Sequence, residues 1–157
     1  MTNAVKLLPF AFAIHNFEEL WAIWKYGSLE DIHPFSVAPI QFAVAVLLFT
    51  LLGFALVFAK GLYKTSENYQ YAITGFAGTL FLNSFFPHVA SVIYFGTYMP
   101  GIITAILLIL PLTTLILYRT YKAEIFSKKQ FILTILLGGF VGLILVFLFL
   151  AIGSLFA

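Results

Sequence analysis

Five consecutive residues, His15-Asn16-Phe17-Glu18-Glu19, place an imidazole and two carboxylates inside an otherwise apolar stretch running from Val5 to Trp24. At membrane depth each such group costs several kcal/mol unless it is paired, protonated, metal-bound or wetted, so the motif reads as a functional site. On a helix advancing about 100° per residue, Glu19 lies roughly 40° from His15 and Glu18 roughly 60° to the other side, so all three point into one space. Trp21 and Trp24 fall near the opposite face, which suits lipid contact there.

This spacing resembles that of helices in zinc hydrolases, where a His-x-x-Glu-His segment uses its first and fifth residues as ligands and the fourth, a glutamate, as base. With glutamate in fifth place, His15 and Glu19 become ligands one turn apart. A third donor is needed, and His88 is the other histidine in an apolar segment. Two histidines and one glutamate make an accepted zinc set with an open position. In this reading His15, Glu19 and His88 hold the metal, and Glu18 is the catalytic base that takes a proton from metal-bound water. Asn83, Ser84 and Ser91 are supporting polar groups, and His33 is a reserve ligand. A carboxylate-bridged di-iron site is disfavoured because that bundle takes four glutamates and two histidines. The bland alternative is a satisfied polar cluster tying two helices together. Adjacent glutamates repel unless a cation or a proton intervenes, so a proton-carrying role also stays open.

The elements that must position these residues follow from composition. Of 157 residues 62% are hydrophobic and only 9% charged, with the charges gathered between long neutral runs. A membrane span needs about 20 apolar residues, and five segments qualify: Val5 to Trp24, Val37 to Ala59, Tyr69 to Phe95, Met99 to Tyr118, and Gln130 to Phe156. Backbone groups in hydrocarbon must be satisfied internally and no barrel alternation is present, so the expected fold is all-α, a single polytopic domain over 1–157 with five transmembrane helices. The first is expected to be retained, since the apolar run before Ala11-Phe12-Ala13 is too short for a signal core. Cysteine is absent, which excludes disulfides and thiolate ligands.

Lys6, Lys60, Lys64, Arg119, Lys122, Lys128 and Lys129 lie at one set of helix ends and only Lys25 at the other, which predicts a cytoplasmic N-terminus and an outside C-terminus. Trp21, Trp24, Tyr26, Tyr94 and Tyr98 then form an outer aromatic belt, and the loop Gly27 to Ser36, with Glu30, Asp31 and His33, lies outside. The net charge of +2 reports this topology and not nucleic-acid binding. His88 sits about 9 Å below Tyr94, near the depth of the glutamate pair, so a shared site in the outer half of the bilayer is feasible. In a straight helix Asn83 is about 140° from His88, and both face the site only if Pro87 distorts the turn. Pro87 and Pro111 each free a carbonyl and predict kinks. Gly138-x-x-x-Gly142 predicts close helix packing within the chain, or a homodimer contact.

The pattern resembles the HXXEE-domain membrane proteins, small bacterial proteins named for the motif that stands here at His15 to Glu19. The likeness extends to Asn83 with Pro87-His88 and to Tyr98-Met99-Pro100-Gly101 followed by Thr104. It implies a bacterial membrane location and groups these residues; it implies no activity. The leading expectation is a metal-dependent hydrolase in the plasma membrane, acting on a lipid or another hydrophobic small molecule. Intramembrane CAAX-type proteases offer an analogy, since they too combine a glutamate pair with histidines in a helical bundle, though their full motif set is absent here. The alternatives are a proton- or cation-binding transporter with His15 and His88 as relay, and a non-enzymatic membrane partner.

Overall fold

The computed structural model describes residues 3–26 and 37–157. The expected outer loop, with His33, Glu30 and Asp31, therefore lies outside the described residues. Among the described residues the chain forms five helical rods and no strand. We label them α1 (Asn3–Tyr26), α2 (Pro39–Phe58), α3 (Ser66–Phe95), α4 (Ile102–Lys122) and α5 (Lys128–Phe156). The last four are long and apolar enough to cross a membrane. At 24 residues α1 is as long, but His15, Asn16, Glu18 and Glu19 interrupt its apolar run and keep it out of that set.

The helix ends differ from the hydropathy boundaries because caps, not apolarity, set them. Thr65 accepts the backbone N–H of Asn68 and starts α3 three residues before the apolar run. Ser127 and Gln130 form a reciprocal capping box that starts α5 at Lys128. Residues Tyr98 to Gly101 form a turn, so α4 begins at Ile102 and not at Met99. Pro39 occupies the first turn of α2, where its missing N–H is harmless.

Both expected proline distortions are present. In α3 a π turn spans Ser84–Val89, with Phe86 at non-helical φ −131° and ψ 115° and a cis Phe86–Pro87 bond. In α4 a π turn spans Ala105–Ile109, just ahead of Pro111.

The core is the contact of α1, α2, α3 and α4 around Leu8, Phe12, Val57, Ile73, Ala77, Leu80, Ile109 and Ile116. α5 packs along α3 and α2 and leaves most of its apolar surface outward. Gly138 and Gly142 both face α3 of the same chain. A Cβ on Gly138 would meet the backbone of Gly75, and one on Gly142 the Thr79 methyl, so the pair serves packing within the chain.

Candidate functional site

α1 buries its motif edge and exposes its apolar one. His15 and Asn16 are buried, Glu18 and Glu19 are half-buried, and Phe17, Trp21 and Trp24 are exposed. Asn16 is spent on α2, donating to the Thr50 hydroxyl at 2.7 Å and the Val46 carbonyl at 3.3 Å. That anchors the rotation of α1 and so aims the other three residues.

The second contributor is the π turn of α3. It turns His88 into the bundle and brings Nε2 to 3.2 Å from the Asn83 amide nitrogen, a contact a straight helix forbids. His88 Nδ1 lies 2.9 Å from the Pro100 carbonyl, which only accepts, so Nδ1 carries a proton and, in the neutral ring, Nε2 presents a lone pair. The Asn83 amide then donates to that lone pair.

The third contributor is the turn between α3 and α4. Gly96 closes α3 at φ +68°, and Gly101 opens α4 at φ +82°. Gly101 lies in the heart of the site: a Cβ there would stand 2.8 Å from Cε1 of both His15 and His88 and 2.9 Å from Cγ of Glu19. Only glycine meets both the backbone angle and the space.

Together these elements bring His15, Glu19 and His88 to one point. Glu19 Oε1 is 3.3 Å from His88 Nε2 and 3.7 Å from His15 Nε2. The rings stand nearly perpendicular, with centroids 4.7 Å apart. One donor atom from each residue lies within 4.8 Å of the others. Tetrahedral zinc with bonds of about 2.0 to 2.1 Å sets its ligand atoms roughly 3.3 to 3.4 Å apart, close to the two shorter separations here. Two of the three donor separations therefore suit a small divalent ion, and the two histidine nitrogens would close further around it.

Glu18 does something different. Its Oε1 accepts from the Tyr98 hydroxyl at 2.8 Å and the Ile103 N–H at 3.2 Å. Its Oε2 accepts from the Thr104 N–H at 2.8 Å and the Thr104 hydroxyl at 2.6 Å. The carboxylate thus caps the first turn of α4, where orphan N–H groups and the helix dipole favour an anion. Partial burial and the Glu18 hydrogen bond push the Tyr98 phenol above its usual range, which keeps it a donor.

The supporting serines stand apart from this centre. Ser84 is buried and returns its hydroxyl to the Leu80 carbonyl, and the Ser91 hydroxyl makes no hydrogen bond to the described residues. The residues to which the sequence gives no part in the site are Tyr98, which it places in the aromatic belt, and Pro100, Gly101 and Thr104. Their grouping in the family pattern was the available signal. An open groove of about 250 Å³ lies on the outer side of α1, lined by Ile14, Phe17, Glu18, Trp21 and Thr104.

A family model described as "protein of unknown function with HXXEE motif" matches residues 6–116, from the first turn of α1 well into α4 and so across every residue of the site. The chain belongs to the HXXEE family. Along its whole length it is also similar to an "uncharacterized protein YrkK" of Bacillus subtilis (strain 168), 28% identical over 156 residues and covering 98% of each chain. No solved structure matches it. The HXXEE motif divides by position in this fold: the histidine and second glutamate converge with His88, while the first glutamate fastens the start of α4.

Proposed function

We propose that this HXXEE protein is a five-span integral membrane protein of the bacterial plasma membrane with an intramembrane divalent-metal centre, zinc favoured, held by His15, Glu19 and His88. We further propose that it is a metal-dependent hydrolase acting on a lipid or another apolar substrate. The observation that carries the metal centre is that two imidazole Nε2 atoms approach one carboxylate oxygen at 3.3 and 3.7 Å. Acceptor atoms so close attract one another only when a cation or a proton lies among them. The apolar substrate class rests on the groove of Ile14, Phe17 and Trp21, which faces outward from α1 and is backed by Glu18 and Thr104.

That α1 spans is supported by its outer surface, where Leu7, Phe10, Ile14, Phe17, Trp21 and Trp24 are exposed while the histidine and asparagine turn inward. With the N-terminus and basic loops cytoplasmic, the site lies in the outer half of the bilayer. Cysteine labelling from outside then modifies a probe in the 27–36 segment and spares one beside Lys122; the reverse pattern inverts the orientation.

Four donors already occupy the Glu18 oxygens. Glu18 takes a proton during turnover only if one of them lets go, so in this reading it is first a scaffold. The decisive experiment measures metal per chain in protein purified without chelator. About one ion per chain is expected in the wild type and none in His15→Ala or His88→Ala. A wild type that never holds stoichiometric metal removes the centre and leaves a polar cluster joining α1 to α3. Metal retention with no turnover of lipid, ester or peptide substrates in vesicles removes the hydrolase alone.

One observation favours a second reading, transport of a proton or cation. His15, Thr104, Glu18 and Tyr98 form an unbroken hydrogen-bonded chain from the buried cluster to the exposed turn. Proton flux into liposomes that depends on Glu18, in protein lacking bound metal, selects this reading over the enzyme.

A further inference from the structure

Thr104 stands between the two parts of the motif. Its Oγ1 is 2.9 Å from His15 Nδ1 and 2.6 Å from Glu18 Oε2, with the Gly101 carbonyl at 3.3 Å. A threonine hydroxyl has one proton to give. Glu18 and the Gly101 carbonyl are both acceptors, and Glu18 is fixed as one by the two backbone N–H groups that point at it. At 2.6 Å the Thr104 proton goes to Glu18 and not to the more distant Gly101 carbonyl, so Oγ1 shows a lone pair to His15. Nδ1 of His15 must then be the donor, and its Nε2 carries the lone pair that faces Glu19.

We propose that Thr104 and Glu18 are positioning residues: a carboxylate, hydroxyl and imidazole relay that holds His15 in the Nδ1–H tautomer and turns its Nε2 towards the ion. His88 is set to the same tautomer by the Pro100 carbonyl. Both imidazoles are therefore oriented by one short segment, Pro100 to Thr104, and Gly101 within it fixes how closely the rings approach. Metal-ligating histidines characteristically donate their other N–H to a carbonyl, carboxylate or water, which fixes ring and tautomer together. Here the hydroxyl extends that arrangement by one group. The relay couples Glu18 to the site without placing it on the ion, which gives both glutamates of the motif a task.

The role towards the ion rests on the proposed metal centre, whereas the tautomer is a property of the metal-free protein. The test uses both. In metal-free protein carrying ¹⁵N-labelled histidine, in lipid nanodiscs above the imidazole titration range, long-range proton–nitrogen correlations read the tautomer of each ring. Wild type is expected to show Nδ1–H at His15 and at His88. Thr104→Ser should keep both, and Thr104→Val should loosen His15, left with the Gly101 backbone as its remaining partner, while His88, held by the Pro100 carbonyl, stays unchanged and reports an intact fold. Zinc titration should then show Thr104→Val weakened by about 10- to 100-fold, with Thr104→Ser close to wild type. An Nε2–H tautomer at His15 in the wild type overturns the proposal without any variant. So does a Thr104→Val protein whose His15 tautomer and zinc affinity both match wild type. A wild type that binds no zinc, yet whose His15 tautomer follows Thr104, overturns the metal centre and leaves the relay standing.

Discussion

The seam between α3 and α5 and the meeting of α1, α3 and α4 at the site are held together in opposite ways. Along the seam, Gly75 and Gly78 of α3 lie against Thr134, Ile135 and Gly138 of α5; a side chain on Gly138 would strike the Gly75 backbone, and one on Gly142 the Thr79 methyl. The threonine hydroxyls there serve their own helices, Thr79 donating to the Gly75 carbonyl and Thr134 to that of Gln130, and polar contact across the seam is left to its exposed end, where Gln130 donates to the Tyr71 hydroxyl. At the site, polar groups cross between elements: Glu18 to Tyr98, Ile103 and Thr104, His15 to Thr104, and His88 to Pro100. In lipid, where apolar surface gains little by leaving one hydrocarbon for another, close contact of small residues suffices to join two helices. It does not fix the direction of a side chain. Hydrogen bonds do, and they are concentrated where three donor atoms must share one point.

Gly101 is where the two modes coincide, and substitution there should have the largest effect. Gly101→Ala meets a left-handed backbone angle and three contacts under 3 Å with His15, His88 and Glu19. Zinc retention should fall by more than the roughly 100-fold expected for losing a group that only orients a ligand, while the helical content stays. A Gly101→Ala protein that binds zinc normally would show that the rings do not converge as described.

Gly138→Ala probes the other region. Its new methyl runs into the Gly75 backbone, and overpacking of this kind costs about 1 to 3 kcal/mol. The unfolding temperature in detergent should drop, with zinc per folded chain unchanged. Gly61→Ala, where nothing lies within 4 Å, is the control and should leave both unaltered. Loss of zinc from folded Gly138→Ala would mean that the seam and the site are coupled.

Glu18→Gln sharpens the contrast between the two glutamates. The sequence assigns Glu18 the proton and Glu19 the metal, so it predicts a variant that keeps metal and loses turnover. The four donors around Glu18 predict something else: one amide oxygen cannot accept all four, and the start of α4 should loosen. Zinc affinity should fall about 10- to 100-fold. Undiminished affinity with turnover lost would restore Glu18 as a base.

Much of this was legible from residue order. The depth match between His88 and the glutamates follows from helical rise on two segments running the same way, whereas the caps Thr65 and Ser127 lie ahead of the apolar runs, where hydropathy marks no helix start. The π turn at Pro87 was foreseeable as a distortion, and so was its consequence that Asn83 and His88 can share a face only through it; the direct contact of the two side chains was not. The partners of Glu18 were hidden for another reason. Tyr98 and Thr104 lie 80 and 86 residues away along the chain, and nothing in a hydropathy pattern says which helix start a carboxylate will cap.

The smallest expected effect has the opposite sign. The Asn83 amide donates to His88 Nε2, the same lone pair that an ion at the site requires. Asn83 and the ion therefore compete, and the bond must open on binding. Removing it in Asn83→Ala destabilises only the metal-free form, by about 0.5 to 1.5 kcal/mol for one hydrogen bond. Because affinity is the difference between the bound and free forms, zinc should bind about 2- to 10-fold more tightly to the variant. Two measurements check this together: competition of the protein with a chelating dye for zinc, and thermal unfolding with and without the metal. The stability loss should appear without zinc and vanish with it. If Asn83 instead belongs to a polar cluster whose only task is to join helices, the variant loses the same stability in both conditions, and zinc makes no difference.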